Sequence, residues 1–298
     1  MTKKIKYTMT APVSHIGETA STGSYFNMIT TSEGKIPVIT GNSIRGQLRD
    51  CLAAHLLSTL NVRVDKEIFQ VLFSGGNISG SMKDDVERSR LIREHFPFIS
   101  LLGGGLGTMI MSGKLLSGFA YPICDETCQI TNYNLTGHSW HEYMDAIEFS
   151  RMDDSKNDIK SIYINEENED KKSKASTQMR YEVEYMAAGT EFIQTFTFLD
   201  GLTDLELGAF YTALKEWFKH PRLGGMSGKG FGFFDAEIEN EIKVNNNIIS
   251  MSDDVSRLIA NYENYVQTDG SEWLCILKEG KQDGKKANKA VEDNSTLN

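Results

Sequence analysis

The sequence predicts an α+β domain in which an antiparallel sheet carries helices on one face, compatible with a ferredoxin-like core bearing large insertions. Three observations predict it. Elements follow in the order strand, strand, helix, inserted material, strands, helix, glycine loop, strand. Two amphipathic helices stand far apart in the chain, so both can cover one sheet. A heavily charged stretch at 151–180 is flanked on both sides by strand-like sequence.

Residues 3–14 read as a first strand, with Ile5, Tyr7 and Met9 on one face. A small-residue loop follows at 19–24, then a second extended piece at 25–31 and a turn at Ser32-Glu33-Gly34. Residues 35–40 form a short apolar strand. Ile44, Leu48, Cys51, Leu52, His55 and Leu56 recur mostly at spacings of three and four, which predicts a helix with one buried face. Asn42 or Ser43 is its expected N-cap. Residues 61–100 read as mostly helical and irregular, and 115–123 as a strand.

The stretch 151–180 holds seven positive and seven negative side chains, so it has little to bury and reads as an exposed insertion. Strands at 143–150 and 181–186 make it a projecting hairpin, and 191–199 is a further strand. Thr203 and Glu206 have capping-box spacing before a helix over 203–220, which Pro221 ends. A strand at 233–238 follows. A single domain is expected over 1–278, with a polar, disordered tail at 279–298.

Composition bounds the function. The chain has 298 residues, 40% hydrophobic and 24% charged, ordinary for a soluble globular protein. No apolar run reaches about 18 residues, so no membrane span is expected. The basic N-terminus lacks the apolar stretch of a signal peptide, and four cysteines make no disulfide framework. Both point to the cytoplasm. The net charge of −10, taken alone, argues against a nucleic-acid binder, but a groove can be basic while the outside is acidic.

Two constellations carry chemistry. In Thr40-Gly41-Asn42-Ser43-Ile44-Arg45-Gly46-Gln47-Leu48-Arg49, a strand turns into a helix start whose free N–H groups and dipole favour an anion. Arg45 and Arg49, four apart, add two charges suited to phosphate. Gly46 would let another backbone approach closely. The plain alternative is a capped helix with two solvated arginines. The second constellation is residues 224–232, five glycines around Lys229, a loop whose backbone can lie against a ligand. Gly230 stands where a Walker motif has Ser or Thr, so no nucleotide-binding reading is supported. A zinc set could be drawn from Cys124, Cys128, His138 and His141, but two thiols and two surface histidines are the plainer account. No metal or cofactor is expected.

Together, His15-Ile16-Gly17, the turn at 39–46 and the late loop 224–232 resemble the RAMP superfamily of CRISPR proteins. The resemblance spans about residues 5–238. It implies a hand-shaped protein: an RNA-recognition-motif or ferredoxin-like palm, a finger at about 61–114 and a thumb hairpin at about 145–185. It implies a backbone subunit of a CRISPR effector that binds guide RNA (crRNA) by its sugar-phosphate backbone, leaving the bases to pair with target DNA or RNA. Further partners implied are copies of itself in a filament and other effector subunits.

The RNA-contacting residues implied are His15, Asn42, Ser43, Arg45 and Arg49, then Arg151, Met152, Lys156 and Met179 in the thumb. Arg222, Gly224, Gly225, Ser227 and Lys229 complete the set. In type III relatives an aspartate in the loop before the Gly-Asn-Ser turn cuts target RNA. The matching stretch here, residues 24–30, contains no carboxylate, so no cleavage is expected and the chain looks more type IV-like or type I-like. Residues 178–186 lean the resemblance towards type IV. Two enzyme readings stay open: target-RNA cleavage using Glu18, and guide processing with His15 as general base.

Overall fold

A computed structural model describes residues 1–19, 23–76, 86–106, 109–151 and 179–295. Strand β1 (Thr2–Met9) is followed by β2 (Ile16–Thr19), β3 (Gly23–Phe26), β4 (Met28–Thr31), β5 (Gly34–Pro37) and the long helix α1 (Gly41–Leu60). Next come α2 (Lys66–Ser74), α3 (Val86–His95), α4 (Pro97–Leu102) and a small hairpin, β6 (Gly104–Leu106) with β7 (Met109–Met111). Strand β8 (Leu115–Pro122), the short α5 (Cys128–Thr131), β9 (Met144–Arg151), β10 (Met179–Met186) and β11 (Glu191–Phe198) follow. Helix α6 (Asp204–Phe218), β12 (Phe234–Ile238), β13 (Ile242–Asn245), β14 (Ile248–Met251) and α7 (Asp253–Ser295) complete the order.

The main sheet runs β14-β13-β12-β1-β11-β8, with every neighbouring pair antiparallel. Within it β1, α1, β8, β11, α6 and β12 form a βαββαβ unit in the strand order of a ferredoxin-like core, as the sequence predicts. Alternation sends Ile5, Tyr7 and Met9 of β1, and Phe192, Phe196 and Phe198 of β11, to one face. There they meet Ile44, Leu48, Leu52 and Leu56 of α1, and Phe210, Leu214, Trp217 and Phe218 of α6, all buried. Burial of each such side chain contributes about 1.5–3 kcal/mol. One buried polar chain crosses this interior: Tyr7 Oη donates to Gln194 Oε1 at 2.7 Å, and Gln194 Nε2 donates to Gly118 O at 2.9 Å.

The capping box at Thr203 and Glu206 forms as expected. Glu206 does more than cap. It is 3% exposed, accepts from Ser100 at 2.5 Å and pairs with Lys114 at 2.7 Å, so it ties α6 to the region before β8.

A second sheet, β2-β3-β10-β9, stands beside the first. Strands β9 and β10 pair antiparallel from Met144↔Met186 to Arg151↔Met179. They are the two arms expected to flank the charged insertion, whose residues 152–178 lie outside the described residues. Helices α2 to α4 and the β6–β7 hairpin occupy the stretch expected as a finger.

Among the elements not foreseen are the β13–β14 hairpin and helix α7. The hairpin β13–β14 turns at Asn246 and Asn247, both left-handed at φ 48° and 63°. Helix α7 buries Val255, Ile259, Tyr262, Val266 and Trp273 against the helical layer. Its backbone runs on to Ser295, through the tail expected to be disordered; Lys, Gln and Ala in that stretch are good helix formers.

Candidate nucleic-acid interface

The cap of helix α1 lies two to three residues before the expected Asn42 or Ser43. Thr40, extended at φ −68° and ψ 138°, is the N-cap, and its Oγ1 accepts the Ser43 N–H at 3.4 Å. Asn42 and Ser43 therefore lie inside the first turn, Asn42 exposed and Ser43 half-buried. His15 fixes the cap: its Nε2 accepts the Thr40 N–H at 3.2 Å and lies 3.1 Å from Thr40 Oγ1. An acceptor nitrogen is unprotonated, and burial lowers the His15 pKa in the same direction. Beneath the turn, a Cβ on Gly41 would overlap the carbonyl of Ser117 and approach that of Gly118 within 2.6 Å. The helix start is thus held against β8 by a contact only glycine permits. Gly46 differs from expectation. A Cβ there would meet nothing within 4 Å, so no other backbone among the described residues packs on it.

The two arginines are not the solvated pair of the plain alternative, and Arg49 is turned to backbone carbonyls where a phosphate was expected. Arg49 is buried, and its Nη2 donates to Leu102 O at 2.9 Å and Gly103 O at 2.8 Å. These are carbonyls at the C-terminal end of α4, where a cation is favoured. Burial, then neighbouring Arg45, brings the Arg49 pKa down to about 10. Arg49 cannot reach a phosphate at the surface without leaving this site. Half-buried Arg45 also donates to Leu102 O, and burial lowers its pKa. The region's chemistry for a phosphate therefore rests on the helix start and, at its edge, on Arg45.

The glycine loop is sewn to the segment preceding His15. Gly225 N–H donates to Ser14 O at 2.7 Å, and Gly232 N–H to Pro12 O at 2.7 Å. Gly224, at φ 73°, has no room for a Cβ beside Ser14 O. Ser227 and Lys229 are exposed in a tight 3₁₀ turn bounded by left-handed Met226 and Gly230. Lys229 Nζ donates to Tyr181 Oη and lies 4.1 Å from the Phe149 ring centroid. Phe149 and Tyr181 stack at 5.5 Å across β9 and β10. Arg222 lies 3.1 Å over the Phe233 ring.

Ser14 and His15 thus join the start of α1 to the glycine loop in one strip, and Lys229 joins the loop to the hairpin. Thr40, Ser14, Phe149 and Tyr181 belong to this strip but were not singled out. Of these, Thr40 lies inside the quoted turn and Tyr181 inside the stretch 178–186, while Ser14 and Phe149 left no sequence signal. Of the expected hairpin residues, Arg151 and Met179 pair across its end, while Met152 and Lys156 lie outside the described residues. Three of the four zinc candidates have other contacts: Cys124 Sγ lies 3.5 Å from Thr127 Oγ1, His138 pairs with Glu142, and His141 stacks on Trp140. Among the described residues no three metal-type side chains converge, and no helix is long and apolar enough to cross a membrane. One carboxylate does reach the stretch 24–30 from outside it: Glu184 Oε2 accepts the Phe26 N–H at 2.7 Å.

A ferredoxin-like palm with a glycine-rich loop beside its first helix defines the class of protein. The chain belongs to the RAMP superfamily, whose family model matches residues 6–235. Among solved structures, a chain of a "Type IV-B CRISPR Complex" shares the fold at a TM-score of 0.56 and 18% identity, over 80% of this chain and 90% of that one. No curated protein matches the sequence.

Proposed function

We propose that the chain is a non-catalytic backbone subunit of a multi-subunit CRISPR effector in the cytoplasm, holding guide RNA by its sugar-phosphate backbone and polymerising along it. The observation that carries this reading is the strip in which the His15–Thr40 contact and the Ser14–Gly225 bond bring α1 and the glycine loop together. A helix start and a backbone-rich loop recognise phosphate and sugar without reading bases, which suits a guide of variable sequence. Membership of the RAMP superfamily and the type IV-B likeness support it.

Co-expression with and without a CRISPR array tests it. A large, RNA-rich peak on a sizing column that appears only with the array, and shrinks for Arg45→Ala with Lys229→Ala, is the expected result. A nucleic-acid-free monomer in both preparations counts against it. The absence of a carboxylate within residues 24–30, and the commitment of Glu184 to a backbone N–H, support a subunit that binds without cutting. A metal-dependent cut at regular spacing in a guide-matched RNA, abolished by Glu18→Ala, would overturn that part.

A further inference from the structure

The sheet face turned away from α1 and α6 carries a cavity of 330 Å³ between β1, β8, β11 and the turn after α5. Its volume is at the lower end for small-molecule sites, which run from about 300 to 1,000 Å³. Phe119 and Tyr121 form one wall, edge to face at 6.2 Å, and Phe119 is 40% exposed. Ile193 and Thr195 of β11 contribute to the lining. Lys4 stands at the cavity with its Nζ 3.5 Å from Thr131 O, and it makes no ion pair among the described residues. Gly118 both lines the cavity and lies beneath Gly41, so the cavity and the start of α1 lie on opposite sides of β8.

We propose that this cavity seats one unpaired base of a single-stranded nucleic acid, stacked on Phe119 with Tyr121 meeting it edge-on, and with the neighbouring phosphate on Lys4. The proposal rests on the reading that α1 holds a nucleic-acid backbone. An aromatic face beside a cation that makes no ion pair among the described residues is the chemistry of single-strand binding, and every base offers a face to stack. The shared Gly118 lies on the edge strand β8, so a nucleic acid held at the start of α1 has to pass around that edge to reach the cavity.

The test is photocrosslinking of the purified protein to a thiouridine-substituted single-stranded RNA, with mapping of the modified peptides. The expected result is modification at Phe119 or Tyr121. Phe119→Ala with Tyr121→Ala should weaken binding roughly tenfold to a hundredfold. Phe119→Leu, which keeps apolar bulk, should weaken it as well, and Lys4→Ala should lower the salt slope by about one. Crosslinks confined to residues 40–46 and 224–232, with unchanged affinity in the double variant, overturn the cavity site and leave the backbone reading standing. Protection of the Phe119 peptide from hydrogen exchange by self-association alone, unaltered by RNA, assigns the face to polypeptide and overturns it too. Failure of the wild type to retain RNA overturns both.

Discussion

His15 Nε2 accepts the backbone N–H of Thr40 at 3.2 Å, so one imidazole sets the residue that caps α1. The ring acts through Thr40, and its Nε2 is not open to serve as a base. His15→Ala should leave the Thr40 N–H without its acceptor and loosen the helix start. Thr40→Ala should cost about 1 kcal/mol, as N-cap losses do. His15→Gln supplies an oxygen that can accept the same N–H and should recover part of the loss. Guide-RNA retention, compared with melting temperature for the three variants, checks this. Full recovery of folding in His15→Ala together with lost cleavage of a repeat RNA would instead make His15 a base.

Arg49→Ala should act on stability rather than on RNA affinity. It removes charge-assisted bonds to Leu102 O and Gly103 O and leaves buried carbonyls unpaired, a loss of about 2–4 kcal/mol. Arg49→Lys offers a point charge in place of a planar fork and should recover only part. Urea unfolding measures the loss. An unchanged midpoint with weakened RNA binding would show that Arg49 works at the surface after all.

The legible part of this fold is the part written in local pattern. The spacing of Ile44, Leu48, Leu52 and Leu56 marked α1, and Thr203 with Glu206 marked α6, because both signals lie within a few turns of chain. The strips 39–46 and 224–232 were legible as glycine turns. The role of Arg49 was not, because its acceptors are 53 and 54 residues away and at the end of another helix. Lys229 likewise meets Phe149 and Tyr181 only through the hairpin pairing. Helix α7 was readable in principle. Asp253 and Asp254 open it, and Val255, Ile259, Tyr262 and Val266 follow at spacings of four, three and four.

Stability should fall as the pH drops below about 6.5, the ordinary histidine value. His55 is held between α1 and α6, its Nδ1 3.7 Å from Glu216 and its Nε2 buried with no partner among the described residues. Burial lowers its pKa; Glu216 and Glu263 oppose this, and Lys215 and Lys219 reinforce it. The folded protein therefore keeps His55 neutral while the unfolded chain takes up the proton. The unfolded state binds more protons, so stability rises with pH through this window and levels off above it. His15, also lowered by burial, adds to the same slope. His55→Gln should flatten part of the decline between pH 6.5 and the point where His55 titrates in the fold. A melting temperature that rises on acidification would contradict both assignments.

Gly41 and Gly46 lie five residues apart in one helix and should respond oppositely to alanine. At Gly41 the added Cβ meets the Ser117 and Gly118 carbonyls, which are backbone and cannot rotate away. Gly41→Ala should push α1 off β8 and lower the melting temperature sharply. At Gly46 the Cβ enters open space, and alanine gains about 1 kcal/mol of helix propensity over glycine. Gly46→Ala should therefore raise the melting temperature. The same open space lies beside the turn that the proposed guide crosses, so the stabilised variant should bind RNA less tightly. A variant that melts higher and binds RNA as well as wild type would place the guide elsewhere on α1.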